Sequence, residues 1–296
     1  MILGACAAPR IPRVLSRHTW LPMQMQSYAA PIQAQAVWNW PCLGYGRPTQ
    51  HNISDATLRQ GITNFWWYDW TGRCLDDKQV PMVWRDISAE LWSCNDGRPL
   101  FVLNEPDVAG QAELTPAQAA DRLWAITAEG WYGEVWCCGT EIWHLDYIDA
   151  VIASYTARYG AWPATGWHVH MYANDAVWVQ DLQDSNKYVS RSFVELDAFI
   201  AYMRARGLLG RGIVLTEYGA LSAWWPSIQL WHSPTQLVPT FTAYANGIRQ
   251  RPEVVSAAWF SSYYQSLSAS DLLWSNGSLT ELGVAWRQQA VQDGQR

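Results

Sequence analysis

Short runs of apolar and aromatic residues alternate with amphipathic segments along most of the chain, a pattern that predicts strands separated by helices. The runs are Gln35–Trp40, Thr63–Trp70, Val80–Arg85, Pro99–Glu105, Val135–Thr140, Thr165–Tyr172, Gly212–Glu217 and Val254–Ser261. Thr115-Pro116-Ala117-Gln118 combines an N-cap, a proline at the first helical position and a capping-box Gln. It opens a helix that should end at Gly130, with Leu123, Ile126 and Thr127 on one face. A second helix is predicted over Asp146–Tyr159, closed by Gly160. A third should start at the capping box Ser192-Phe193-Val194-Glu195. Behind it Leu196, Phe199, Ile200 and Met203 recur at helical spacing up to Gly207. The polar stretch Ala173–Ser190 and the segment Trp224–Pro239 read as long loops.

Eight strand–helix repeats predict an α/β fold, a single (β/α)8 TIM barrel with elaborated βα loops. The 296 residues suit that fold, which needs roughly 250. No GxGxxG follows the first run, which argues against an open dinucleotide-binding sheet. The barrel is assigned to residues 34–296. Residues 1–33 are read as an N-terminal extension, a remnant of an export signal. Leu3-Gly4-Ala5-Cys6 is weakly like the end of a lipoprotein signal, and a secreted or cell-surface location is expected.

Composition narrows the partner. The net charge is −6, without a Lys/Arg-rich run, so neither nucleic acid nor an anionic membrane is expected. No stretch approaches a membrane span. The chain holds 21 Trp and 14 Tyr against 6 Phe. Phe fills a core as well as Trp without an N–H that needs a partner. The excess therefore points to indoles that line a groove and stack on the flat faces of sugar rings, beside others that serve the core. The six Cys show no zinc spacing. Cys137 and Cys138, adjacent on a strand, should point to opposite faces and not pair. A loop disulfide among Cys42, Cys74 and Cys94 is open.

Two segments carry the chemistry, Leu103-Asn104-Glu105-Pro106-Asp107 and Leu215-Thr216-Glu217-Tyr218-Gly219. Each puts a Glu at the end of an apolar run, the fourth and the seventh. If the strands alternate regularly, Glu105 shares a direction with Leu103 and Phe101, and Glu217 with Leu215 and Ile213. With those residues inside the barrel, both carboxylates reach its upper mouth. A buried carboxylate is costly unless it is paired or used. Glycosidic cleavage uses two: one protonated to serve the leaving oxygen, one ionised to attack or to activate water.

Asn-Glu-Pro closing the fourth strand and Thr-Glu-aromatic-Gly closing the seventh resemble the large clan of retaining barrel glycosidases. The ordered set Val80-Pro81-Met82-Val83-Trp84, Leu103–Asp107, His168-Val169-His170-Met171-Tyr172, Leu215–Tyr218 and Ala258-Trp259-Phe260 is similar to glycoside hydrolase family 128. These are β-1,3-glucanases, also described as a glycosyl hydrolase catalytic core. The resemblance covers about residues 60–265. It implies Glu105 as acid/base and Glu217 as nucleophile of a double displacement on β-glucan, in a monomer that needs no cofactor or metal. It further implies that Asn104 meets the sugar 2-hydroxyl, that Tyr172 holds the nucleophile, that His170 lines the pocket and that Trp259 floors the subsite. Trp38, Asn39, Trp70, Trp84 and Trp143, near strand ends, are candidate sugar contacts. Arg85 and Met171 depart from the family pattern.

Three other readings stand beside this one. The barrel could serve another β-linked polysaccharide, or bind carbohydrate without cleaving it. His168-x-His170 could instead be a metal pair, although it lies on the sixth run where a metal hydrolase barrel would carry it on the first. Asp69 and Glu141 also close strands, and each reads as a sugar contact or a salt-bridge member.

Overall fold

The computed structural model describes residues 43–47, 65–131, 133–172, 185–219, 233–263 and 269–294. Among the described residues there are eight strands: β1 Leu43–Gly46, β2 Trp67–Tyr68, β3 Met82–Val83, β4 Leu100–Val102, β5 Val135–Glu141, β6 Gly166–Met171, β7 Ile213–Tyr218 and β8 Val254–Trp259. All pair in parallel, in the order β2-β1-β8-β7-β6-β5-β4-β3. The remaining seam, between β2 and β3, is crossed just before β3. There Trp67 bridges to Gln79, and the Val80 N–H donates to the Trp67 carbonyl at 2.8 Å. The sheet is thereby a nearly closed (β/α)8 barrel. The first strand is Leu43–Gly46; the run Gln35–Trp40, expected in that role, lies outside the described residues.

The helices are α1 Pro116–Ala128, α2 Leu145–Tyr159, α3 Ser185–Ala205, α4 Pro234–Arg249 and α5 Glu281–Gly294, with a 3-10 turn at Ala89–Cys94. Local chemistry explains two of the starts. Thr115 accepts from the Gln118 N–H at 3.3 Å while the Gln118 side chain accepts from the Thr115 N–H at 2.9 Å, the reciprocal box of its sequence. Ser233 and Gln236 cap α4 in the same way, so that helix begins inside the segment expected to be a loop. Helix α3 likewise starts at Ser185. Ser192 is not its cap but an interior residue whose hydroxyl donates to the Tyr188 carbonyl at 3.2 Å. Burial of Tyr188, Val189 and Phe193 continues the apolar stripe of Leu196, Phe199, Ile200 and Met203, and tertiary packing extends the helix past its local signal.

Two apolar layers result. The outer one joins strand residues such as Val102, Leu103, Trp167, Val169, Ile213, Leu215 and Tyr218 to helix residues such as Leu123, Ile148, Phe199 and Tyr244. The inner one fills the barrel with Trp66, Tyr68, Val80, Met82, Phe101, Trp136, Val214 and Ala258. Two indoles inside so small a barrel need bare backbone beside them. A Cβ at Gly44 would lie 2.3 Å from the Trp66 ring, and one at Gly166 would lie 2.4 Å from Trp136. The Trp66 N–H finds Ser256 Oγ at 2.8 Å and the Trp136 N–H finds Glu134 at 3.1 Å, so neither polar edge is stranded.

Cys74 and Cys94 form a disulfide with Cα atoms 5.7 Å apart, tying the loop after β2 to the 3-10 turn. Cys137 and Cys138, expected not to pair easily, are also joined. Cys42 lies outside the described residues.

Candidate active site

The regular alternation expected to aim the two glutamates is broken on both strands. Leu103, Leu215 and Ile213 pack outward against the helices, whereas Phe101 and Val214 point into the barrel. On β7 the register shifts between Leu215 and Tyr218 relative to β8, and a matching shift on β6 falls between Val169 and His170. Bulges of this kind re-aim side chains next to functional sites. After β4 the chain turns through left-handed conformations at Leu103 (φ 73°) and Glu105 (φ 46°). The Glu105 N–H is anchored on the Gly139 carbonyl at 2.8 Å. Gly139 must be bare there: it has φ 64°, and a Cβ would fall 2.5 Å from the Leu103 carbonyl. Trp70, also at the site, has φ 57°. Such backbone strain costs about 1–3 kcal/mol per residue and gathers at functional sites.

The carboxylates meet at one imidazole. His170 is fully buried, with Nδ1 2.9 Å from Glu105 Oε1 and Nε2 3.5 Å from Glu217 Oε1. The first contact is a hydrogen bond; the second is an ion-pair distance without hydrogen-bond alignment. Burial opposes a charge on His170, but the field of Glu217, the hydrogen bond and field of Glu105, and Glu141 outweigh it and hold its pKa at about 9. The ring is therefore an imidazolium at neutral pH. Glu217 is 6% exposed. Burial pushes its carboxyl up; His170 opposes, Glu105 adds to the rise, and two donors pull it back down. These are the Trp70 N–H on Oε1 at 2.9 Å and the Tyr172 O–H on Oε2 at 2.9 Å. Burial, then the field of Glu217, raises the Tyr172 hydroxyl well above its ordinary range, so it stays a donor. Tyr68, a residue the sequence reading passed over, donates to the Thr216 carbonyl at 2.6 Å and fixes the peptide that carries Glu217.

The other expected contacts divide. Asn104 is buried beside Glu105 and its Oδ1 has no partner among the described residues. Trp70 and Trp84 are half-buried against the top of the inner layer, and Trp143 packs on the outer layer beside His144. Trp259 does not reach the mouth. It is fully buried among Tyr218, Phe241 and Tyr244, with its N–H on the Ser270 carbonyl at 2.8 Å. The next residue, Phe260, faces the site and meets Trp70 edge to face at 5.7 Å. Trp38 and Asn39 lie outside the described residues.

His168 and His170 do not act as a pair. His168 lies in the barrel interior, Nε2 2.9 Å from the Val102 carbonyl and Nδ1 3.2 Å from Thr216 Oγ1. Burial lowers its pKa to about 3, so it is neutral. The cluster that does gather potential ligand atoms, within 4.8 Å of one another, is Glu105, Glu141 and His170. A cation there would have to displace the His170 proton. Asp69 is a structural carboxylate, bonded to Thr71, Gln79 and Arg73. Asp107, behind Glu105, pairs with His144.

The (β/α)8 barrel thus brings two glutamates together at the ends of β4 and β7, with a buried imidazole between them and indole and phenol donors on one. Residues 42–132 match the family model described as the glycosyl hydrolase catalytic core. The fold is that of glycoside hydrolase family 128 structures. One is a subgroup I endo-β-1,3-glucanase from Amycolatopsis mediterranei in complex with laminaritriose, with TM-score 0.59 and 20% identity, covering 84% of this chain and 99% of that one. Another is a subgroup II endo-β-1,3-glucanase from Pseudomonas viridiflava, with TM-score 0.58 and 20% identity, covering 83% and 97%. A third is a subgroup III curdlan-specific exo-β-1,3-glucanase from Blastomyces gilchristii in complex with glucose, with TM-score 0.50 and 16% identity, covering 82% and 97%. No curated protein matches the chain.

Proposed function

We propose that this protein is a retaining glycoside hydrolase that cleaves β-1,3-glucan, with Glu105 as acid/base and Glu217 as nucleophile. The observation that carries the reading is the contact of both carboxylates with the single buried His170. The laminaritriose-bound relative supports the choice of glucan.

In the first step Glu217 attacks the anomeric carbon while Glu105 gives its proton to the departing glycosidic oxygen, leaving a glycosyl ester on Glu217. In the second step Glu105, now ionised, takes a proton from water, the water oxygen attacks the anomeric carbon, and Glu217 leaves as the carboxylate. Trp70 and Tyr172 serve the ionised nucleophile before and after the ester exists. His170⁺ stabilises whichever glutamate bears charge. Asn104, its Oδ1 without a partner among the described residues, would serve a sugar hydroxyl, and Trp70 with Phe260 would offer an aromatic wall. The Cys74–Cys94 disulfide favours an oxidising destination, in keeping with a secreted or cell-surface enzyme. No helix among the described residues is long and apolar enough to cross a membrane.

The test is product analysis by thin-layer chromatography on laminarin, curdlan, mixed-linkage glucan, xylan and mannan, with Glu217→Ala as control. Proton NMR of the nascent reducing end accompanies it. The expected result is release of β-1,3-oligosaccharides that first appear as the β-anomer. Binding without cleavage would convert the protein to a carbohydrate-binding barrel, and an α-anomer first would refute the double displacement.

A further inference from the structure

The loop that follows Glu105 is pinned by the start of α2. Residues 105–114 fold back on themselves before the Thr115 cap of α1. The Val108 N–H donates to the Glu105 carbonyl at 3.1 Å, the Ala112 N–H to the Asn104 carbonyl at 3.3 Å and the Leu114 N–H to the Pro106 carbonyl at 2.9 Å. An open cavity of about 410 Å³ lies against Pro106, Asp107, Val108, Leu114 and Tyr147, so apolar packing does not fix the loop on that side. Two side chains at the start of α2 close on it instead. The Tyr147 hydroxyl donates to the Leu114 carbonyl at 2.8 Å, and the His144 Nδ1–H donates to Asp107 Oδ2.

His144 holds the N-cap position of α2 but makes no side-chain cap bond. Histidine is not among the residues favoured there; its ring serves Asp107. The backbone of His144 is fixed as well, its N–H on the carbonyl of Glu141, the last residue of β5, at 3.1 Å. The Asp107 side chain is only 2% exposed, and its Oδ1 has no hydrogen-bond partner among the described residues. Without His144 this buried carboxyl would lose its donor, and the loop would have to open to hydrate it.

Resting on the glycosidase reading above, we propose that His144 and Tyr147 are positioning residues, which clamp the 105–114 loop and thereby aim Glu105 at the leaving glycosidic oxygen. Glu105 stands at φ 46°, a conformation that persists only where its surroundings over-determine it. Its N–H is held from β5 by the Gly139 carbonyl and its own carbonyl by the Val108 N–H. The clamp supplies a third hold through Asp107, two residues further on. A general acid must lie within hydrogen-bond reach of the oxygen it protonates, so release of the loop weakens proton delivery. Neither residue touches the sugar in this scheme; both act through the loop.

The test uses His144→Ala, His144→Asn and Tyr147→Phe in the full chain. His144→Asn keeps an N–H donor near the place of Nδ1 and is the conservative control. Hydrogen exchange of the Val108, Ala112 and Leu114 amides is read first, with the β7 amides as internal reference. These three should exchange about tenfold faster or more in His144→Ala and Tyr147→Phe, and close to the wild-type rate in His144→Asn. Then kcat/KM is compared on laminarin and on a β-laminaribioside whose leaving group is dinitrophenolate, which departs without a proton. In His144→Ala and Tyr147→Phe it should fall about tenfold or more on laminarin and by less than about twofold on the aryl glycoside. A merely structural role would lower both alike. Unchanged exchange, unchanged kcat/KM on laminarin, or equal losses on the two substrates each overturns the proposal. A wild type that cleaves neither substrate overturns the glycosidase reading and this proposal with it; equal losses in an active enzyme overturn this proposal alone.

Discussion

Replacing His170 by Gln removes the imidazolium that both glutamates share, and the structure sets the scale of the effect. Two unit charges 3.5 Å apart interact by about 5 kcal/mol at an effective dielectric constant near 20. At about 1.4 kcal/mol per pH unit, that is an upper bound of about 3 pH units on the limb that Glu217 governs. Water entering the vacated space, and the poor alignment of Nε2 on Glu217, reduce this to about 1–2 units. The sign follows from His170 holding the Glu217 carboxyl down: losing that cation lets it rise further. The acid limb of kcat/KM, where Glu217 must be ionised, should therefore move up. The assay is kcat/KM on laminarin from pH 4 to 10, expected to show an acid limb displaced to alkaline pH by about 1–2 units. A lower plateau over an unmoved acid limb would refute the reasoning. Stability gives a second reading. The pKa of His170 lies at about 9 in the fold against 6.5 in the open chain. Its contribution is therefore fully present below pH 6.5 and lost as pH rises through 9, about 3 kcal/mol in all. Melting temperatures of the wild type should fall over that window, and those of His170→Gln should not show this fall.

Tyr172→Phe deletes one charge-assisted hydrogen bond to Glu217, of about 1.5–3 kcal/mol, so kcat should fall roughly 10- to 100-fold with little change in KM in steady-state kinetics. Trp259→Phe should lower thermal stability by about 1–3 kcal/mol, through a lost buried N–H and a small cavity, and leave KM alone. Trp70→Phe should instead reduce kcat, because its N–H serves Glu217; a Trp259 variant with raised KM and normal melting would contradict the placement of that indole. Opening the Cys74–Cys94 bridge by Cys→Ser substitution should destabilise the fold by about 3 kcal/mol, from a loop closed over 20 residues, as measured by denaturant unfolding.

The helices were legible where their ends are written locally. Thr115 and Gln118 close a box within four residues, and Gly160 ends α2 by its own backbone freedom. Helix α3 was misjudged at its start because the residues that hold its first turns find their partners across the chain. Ser192, on the expected cap, hydrogen-bonds Tyr244 at 2.9 Å instead. Strand β1 was not legible for a related reason: it is built from Leu43-Gly44-Tyr45-Gly46, whose glycine at 44 makes sense only against the Trp66 ring that covers it.

By itself the sequence determined the alternation of strands and helices, the count that closes a barrel, and the two strand ends that carry Glu105 and Glu217. These follow from periodicity and local chemistry, which act over a few residues. Only the tertiary structure decided how the glutamates are aimed. The alternation assumed from sequence would have sent them in with Leu103 and Leu215, yet both leucines face outward. Bulges and left-handed turns, held by Gly139 and by neighbouring strands, reset the direction. Pairing between distant strands also decided that His170 becomes a cation, that His168 stays neutral, that Glu141 joins them and that Phe260 rather than Trp259 faces the mouth. Each depends on fields, burial and contacts between residues far apart in the chain, which no local pattern encodes.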